Sequence, residues 1–123
     1  MGKSSKLKGL EDVNLLELRP VRVAEWEVVG DRVVVIRPAP GGHGFRRLAN
    51  LLFFALAARR IRLDDIGSSG WRQLDGKSTV AQVAQKLREE FGDRVEPAEE
   101  RFGHQVRVFR REGLVAYPGW DVV

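Results

Sequence analysis

The stretch Arg60-Ile-Arg-Leu-Asp-Asp-Ile-Gly-Ser-Ser-Gly-Trp-Arg-Gln-Leu-Asp-Gly-Lys-Ser-Thr79, running on into Val80-Ala-Gln-Val-Ala-Gln-Lys-Leu-Arg-Glu-Glu-Phe91, decides the fold. Arg60 to Leu63 alternates basic and aliphatic side chains and reads as a short strand, because successive strand residues face opposite sides. Asp64 then offers a carboxylate to cap a helix, with Ile66, Trp71 and Leu74 near one face of that helix. Asp75-Gly76-Lys77 ends it. Thr79 and Gln82 have the spacing of a capping box, in which each side chain accepts the other residue's backbone N–H. Behind them Val80, Val83, Ala84, Leu87 and Phe91 recur at helical spacing, and Gly92 can supply the left-handed residue that closes a helix.

Working outward, Pro97 suits the first turn of a third helix, because its missing N–H costs nothing there. Phe102, Val106 and Phe109 make that helix's buried stripe, Gly113 stops it, and Leu114-Val-Ala-Tyr117 is short and extended. Upstream, a run from Val21 through Val29 and the β-branched Arg32-Val-Val-Val-Ile-Arg37 flank Gly30-Asp31 and read as a β-hairpin. Arg19-Pro20 marks a boundary, so residues 1–18 are expected to be a tail and 19–123 one domain. Pro38-Ala-Pro-Gly-Gly-His-Gly44 breaks the hairpin's second strand and opens an insertion over 38–59. Within it Phe45–Ala58 favours helix, yet apolar residues surround nearly the whole cylinder. At about 21 Å that helix is too short for a ~30 Å hydrocarbon core. It fits a buried or self-associating helix, which leaves a homodimer open, or one that docks on a membrane or partner enzyme. The order predicts an α+β chain of winged-helix type, with a small sheet, three helices and an extra inserted helix.

Bulk composition agrees with one folded domain. The chain has 123 residues, 43% apolar and 31% charged, with no cysteine. The last point removes disulfides, thiolate metal sites and cysteine nucleophiles together. The basic start Met1-Gly-Lys-Ser-Ser-Lys leads into no apolar segment, so neither a secretory signal nor a transmembrane segment is expected. Lys6 stands where a myristoylation motif needs Ser or Thr. A cytoplasmic location follows as the expectation. The net charge of +4 is uneven. Arg32, Arg37, Arg46, Arg47, Arg59, Arg60 and Arg62 fall in a stretch without a single acid. Such a stripe suits nucleic acid, an anionic membrane, an acidic peptide, or simply a solvated face.

Catalytic candidates fall away one by one. His43 and His104 are too few for a metal site without Cys or nearby His. Gly76-Lys77-Ser78 imitates the end of a phosphate loop, but Trp71 occupies the position of the first glycine. Gly41-Gly-His-Gly44 lacks dinucleotide spacing. Asp64-Asp65 is explained by a cap and a first-turn acid opposing the helix dipole. No enzyme, metal or cofactor is expected. A winged-helix outline raises DNA binding as the alternative function, a winged-helix regulator. Against it, the third helix begins with Glu96, Glu99 and Glu100 where phosphates would be met. Arg107, Arg110 and Arg111 lie at its other end, where they suit the helix dipole.

The stretch from Arg62 to Ala84, with its strand-to-helix entry, bulky residue before Asp-Gly, and Thr-Val opening a second helix, resembles the PqqD-like family. Glu96-Pro-Ala-Glu-Glu through Arg111-Glu-Gly-Leu-Val continues the likeness, and Arg19-Pro-Val-Arg with Trp26 extends it more weakly. The resemblance implies a winged helix-turn-helix with a three-stranded N-terminal antiparallel sheet. It also implies a non-catalytic, cofactor-free role: holding a ribosomal precursor peptide and presenting it to a radical S-adenosylmethionine maturase. In related domains the leader peptide adds to the edge of the third strand, and its apolar side chains enter a groove beside the third helix. Carried over, the binding residues are Arg60, Ile61, Arg62 and Leu63 on the strand and Arg101, Gln105 and Val108 on the helix. Phe102, Val106 and Phe109 should point inward. The long insertion departs from the compact pattern, and the resemblance does not identify the product.

Overall fold

A computed structural model describes residues 14–37 and 60–121. In chain order these form β1 (Val21–Arg22), β2 (Glu25–Val29), β3 (Arg32–Ile36), β4 (Arg60–Arg62), α1 (Asp65–Arg72), α2 (Val80–Phe91), α3 (Ala98–Arg111) and β5 (Val115–Ala116), with 3-10 turns at Leu15–Glu17 and Gly92–Val95. The architecture is α+β. One antiparallel sheet has the order β2-β3-β4, a second pairs β1 with β5, and three helices complete the described residues. The insertion 38–59, including the expected helix Phe45–Ala58, lies outside the described residues, as do residues 1–13. No helix among the described residues is long and apolar enough to cross a membrane.

The helices begin where their caps dictate. An Asp64 carboxylate oxygen accepts the Gly67 N–H at 2.7 Å. Thr79 Oγ1 accepts the Gln82 N–H at 3.0 Å, and Gln82 Oε1 accepts the Thr79 N–H at 2.8 Å, completing the capping box. Each of these bonds satisfies an amide that the helix cannot pair internally. The hairpin closes on Gly30-Asp31 with Val29 opposite Arg32, and Gly30 takes φ +67°, which a side chain would resist.

The expected continuous strand from Val21 to Val29 is in fact two strands that join different sheets. Val21 and Arg22 pair with Ala116 and Val115 instead of β3. The Arg22 N–H donates to the Leu74 carbonyl and the Val23 N–H to the Leu114 carbonyl. The Arg22 guanidinium also donates to the carbonyls of Trp71 and Arg72 at 3.2 and 2.6 Å, among the unpaired oxygens at the end of α1. These partners are distant in sequence, so alternation within the run could not reveal the break. Packing also extends upstream of Arg19: Leu18 belongs to the core, and Leu15 and Leu16 pack against it.

The core lies between β3 and the helices. Val33, Val35, Trp71, Leu74, Val83, Leu87, Phe102, Val106 and Phe109 are all buried. Trp71 meets the Phe109 ring edge-on at 5.3 Å and Trp26 at 6.5 Å, arrangements aromatic quadrupoles favour. Gly70 permits α1 and α3 to cross closely, since a Cβ there would stand 2.5 Å from Phe102 Cε1. Ser68, the only buried polar residue in the described core, accepts the Val33 N–H at 2.8 Å and donates to the Leu63 carbonyl at 3.3 Å. This hydroxyl therefore ties the sheet to the first helix.

Candidate functional site

β4 stands at one outer position of its sheet, and no described strand pairs with its far side. The Leu63 N–H donates to the Val33 carbonyl at 2.9 Å, which sets the alternation along the strand. With Ile61 opposite Val35, Ile61 and Leu63 direct their backbone groups toward β3. Arg60 and Arg62 direct theirs away from it. The four expected strand residues thus divide into two roles. Leu63 is buried in the core and Ile61 packs against it, while Arg60 and Arg62 are exposed and present the outward N–H and C=O groups.

Immediately after this strand the surface opens into a hollow of about 360 Å³ between the start of α1 and the outer side of α3. Arg101, Gln105 and Val108 all line it, brought together with Asp64, Ile66 and Gly67. Their spacing along α3 puts them beside the buried stripe of Phe102, Val106 and Phe109, as the periodicity predicts. The lack of a side chain at Gly67 leaves the hollow room, because a Cβ there would lie 3.6 Å from Gln105 Nε2. Arg101 is held in place by the carbonyls of Arg94 and Glu96, which accept from its Nη1 at 3.1 and 3.4 Å. No carboxylate pairs with it among the described residues. Asp64, Ile66, Gly67 and His104 were not anticipated as lining residues.

The charged residues are largely matched to one another. Arg88 on α2 bonds Glu96 at 2.5 Å and Glu99 at 2.7 Å, and holds both carboxyls below the usual carboxylate range. Asp65 is likewise held low by Arg94, which bonds it at 3.0 Å, and Asp121 by Arg110 at 2.8 Å. The basic stripe is partly neutralised as well. Arg32 lies 3.9 Å from Asp31, Arg37 lies 3.1 Å from Glu112, and Arg60 reaches across β3 to Glu27. Arg46, Arg47 and Arg59 lie outside the described residues. So does His43, and no group of His, Asp or Glu suited to a metal ion occurs among the described residues.

No curated protein and no solved structure matches the chain. A family model does. The model described as Coenzyme PQQ synthesis protein D (PqqD) matches residues 54–115, a span that takes in β4, all three helices and the start of β5 but not the hairpin. Since that match covers just over half of the sequence and contains both the strand edge and the helix-lined hollow, the chain belongs to the PqqD family.

Proposed function

We propose that this protein is a non-catalytic accessory protein of the winged helix-turn-helix type that binds a ribosomal precursor peptide by strand addition. The peptide pairs with the outward backbone groups of Arg60 and Arg62, continuing the antiparallel sheet by one strand. Its apolar side chains then enter the hollow lined by Arg101, Gln105 and Val108, while Ile61 and Leu63 hold the strand to the core. The role requires no catalytic group or cofactor of its own. Its product is a peptide held extended for a radical S-adenosylmethionine maturase. The observation that carries this reading is the adjacency of a strand edge without a partner among the described residues and a preformed hollow, joined through Leu63 and Asp64. Family membership supports it independently.

Nothing observed favours the DNA-binding alternative. The start of α3 still presents Glu99 and Glu100, although Arg88 engages Glu99 together with Glu96. Three arginines of the stripe also have acidic partners of their own. The test is amide-resolved NMR of the full chain, titrated with short peptides encoded beside its gene. Shifts should centre on Arg60, Arg62, Arg101, Gln105 and Val108. Peptide binding that leaves those amides unmoved overturns the assignment.

A further inference from the structure

A second and larger hollow, of about 780 Å³, lies along the other flank of α3 near its C-terminal end. Leu15, Val23, Val108 and Val115 give it an apolar lining, and Val23 is 47% exposed, one of few large apolar side chains left open to water among the described residues. Arg107, Arg110 and Arg111 stand around it, and among the described lining residues they face one carboxylate, that of Asp121. That carboxylate is already committed, because Arg110 grips both of its oxygens and lies over the Tyr117 ring at 4.8 Å. Glu112 is bonded to Arg37 and Glu99 to Arg88. Glu100 shares a neighbouring hollow with Arg107 but forms no ion pair with it. Arg107 and Arg111 therefore remain cations without a carboxylate partner among the described residues. The helix dipole favours arginines at this end, but the dipole alone does not account for an apolar trough between them.

The two hollows are not separate. His104 and Val108 line both, so one wall of α3 is shared. We propose that the second hollow takes an acidic segment of the same peptide that adds to β4, beyond the residues seated in the first hollow. This deepens the strand-addition reading and rests on it. From Arg101 to Arg111 the helix advances about 15 Å, which an extended peptide covers in roughly four to five residues. Continuity along one wall is the reason to assign the occupant to that peptide instead of to an acidic stretch of another protein. Charge complementarity sets its chemistry: carboxylates facing Arg107 and Arg111, with aliphatic side chains between them over Val108 and Val115.

Two titrations of the full chain followed by amide NMR test this. In the first, acetylated hexaglutamate is the probe and hexaglutamine the control. Hexaglutamate should shift His104, Arg107, Arg111 and Val115, weaken as salt is raised, and bind about three- to tenfold more weakly to the R107Q/R111Q double variant. Hexaglutamine should shift none of them. A hexaglutamate response confined to Arg60–Arg62, or no response at all, overturns the proposal and leaves strand addition standing. In the second, a peptide that passes the strand-addition test is compared with a version whose acids outside the strand-forming residues are replaced by Gln. The shifts at Arg107, Arg111 and Val115 should vanish while those at Arg60 and Arg62 persist. If the unaltered peptide moves only the β4 amides, the shared-peptide proposal fails alone. If no peptide moves β4 yet hexaglutamate binds the hollow, strand addition fails and the acidic occupant belongs to another protein.

Discussion

The three-stranded sheet has two outer edges without a described partner, and they differ in what surrounds them. At the β4 edge, Arg60 and Arg62 point their backbone groups outward, and the chain turns at once into α1 and the first hollow. At the β2 edge, the two-residue hairpin makes Val29 and Arg32 the closing hydrogen-bonded pair, so Trp26 and Val28 point theirs outward. That edge carries Glu25 and Glu27 and leaves Val28 and Val29 about half exposed. The helix-walled hollows do not touch it, and Val29 borders a smaller hollow of about 250 Å³ that it shares with Arg60 and Arg62. The β4 edge is also tied to the helices through Ser68, whose hydroxyl bridges Val33 and Leu63. Among the described residues both edges have unpaired amides, and the β4 edge combines them with a tie to α1 and a helix-walled hollow.

The largest effect expected on this contrast comes from Ser68→Ala. It leaves the buried Val33 N–H and one bond to the Leu63 carbonyl unmade, at a cost of about 1–3 kcal/mol in urea denaturation. Peptide affinity should fall along with stability, because the end of β4 loses its tie to α1. Normal affinity in the destabilised variant would break the link between that tie and the site. A matched pair of proline substitutions acts on the edges themselves. Arg62→Pro removes an outward N–H from β4 and should weaken the peptide by roughly tenfold while the pairing with β3 survives. Val28→Pro removes the equivalent group from β2 and should leave affinity within about twofold. The opposite result would transfer the site to the β2 edge.

The smallest effect concerns the helical wall rather than the sheet. Asp65, Glu96, Glu99 and Asp121 are all held below their usual values, chiefly by hydrogen bonds from Arg94, Arg88 and Arg110. A depressed carboxyl contributes stability that is fully present above its unfolded value, near 4, and is lost as pH falls through its folded one. The melting temperature should therefore hold between about pH 8 and 5 on account of these groups and decline below about pH 4. In Arg88→Gln the neutral-pH value should be modestly lower and the acid decline shallower, since Glu96 and Glu99 no longer gain from ionising. An unchanged slope would mean that this clip between α2 and α3 contributes nothing measurable.

Local chemistry made much of the fold legible. Asp64, the Thr79–Gln82 box, Gly30-Asp31 and the stripe of Phe102, Val106 and Phe109 all act through neighbours within a few residues, so their spacing identifies them. What escaped depends on partners far along the chain. Val21 and Arg22 look like the start of β2 until Val115 and Ala116 claim them. Glu96 and Glu99 look like a negative helix start until Arg88 is seen to engage both. The same holds for the site. Helical period places Arg101, Gln105 and Val108 beside the buried stripe and the family resemblance makes them groove residues, but the wall opposite them, with Asp64, Ile66 and Gly67, and the second hollow behind Val108 require three-dimensional packing. The split of Arg60–Leu63 into outward and inward pairs needed one hydrogen bond, from Leu63 to Val33, to set its parity.

The pairing of β1 with β5 has a consequence for how the chain is assembled in time. Val21 meets Ala116, so nearly the whole described sequence lies inside the loop that this contact closes. The segment leading into β1 is meanwhile stitched to the turn between α1 and α2, with Leu18 accepting from Val80 and Pro20 from Gly76. Contacts of such long sequence separation carry the greatest closure entropy and slow folding. On the ribosome, the capped helices can form as they emerge, but the early strand must wait for residues 115 and 116 before it finds its partner. Shortening the chain before Val115 therefore removes the strand partner of β1 while its ties to Leu74 and Asp75 stay, and the damage would appear first near Val21, far from the cut.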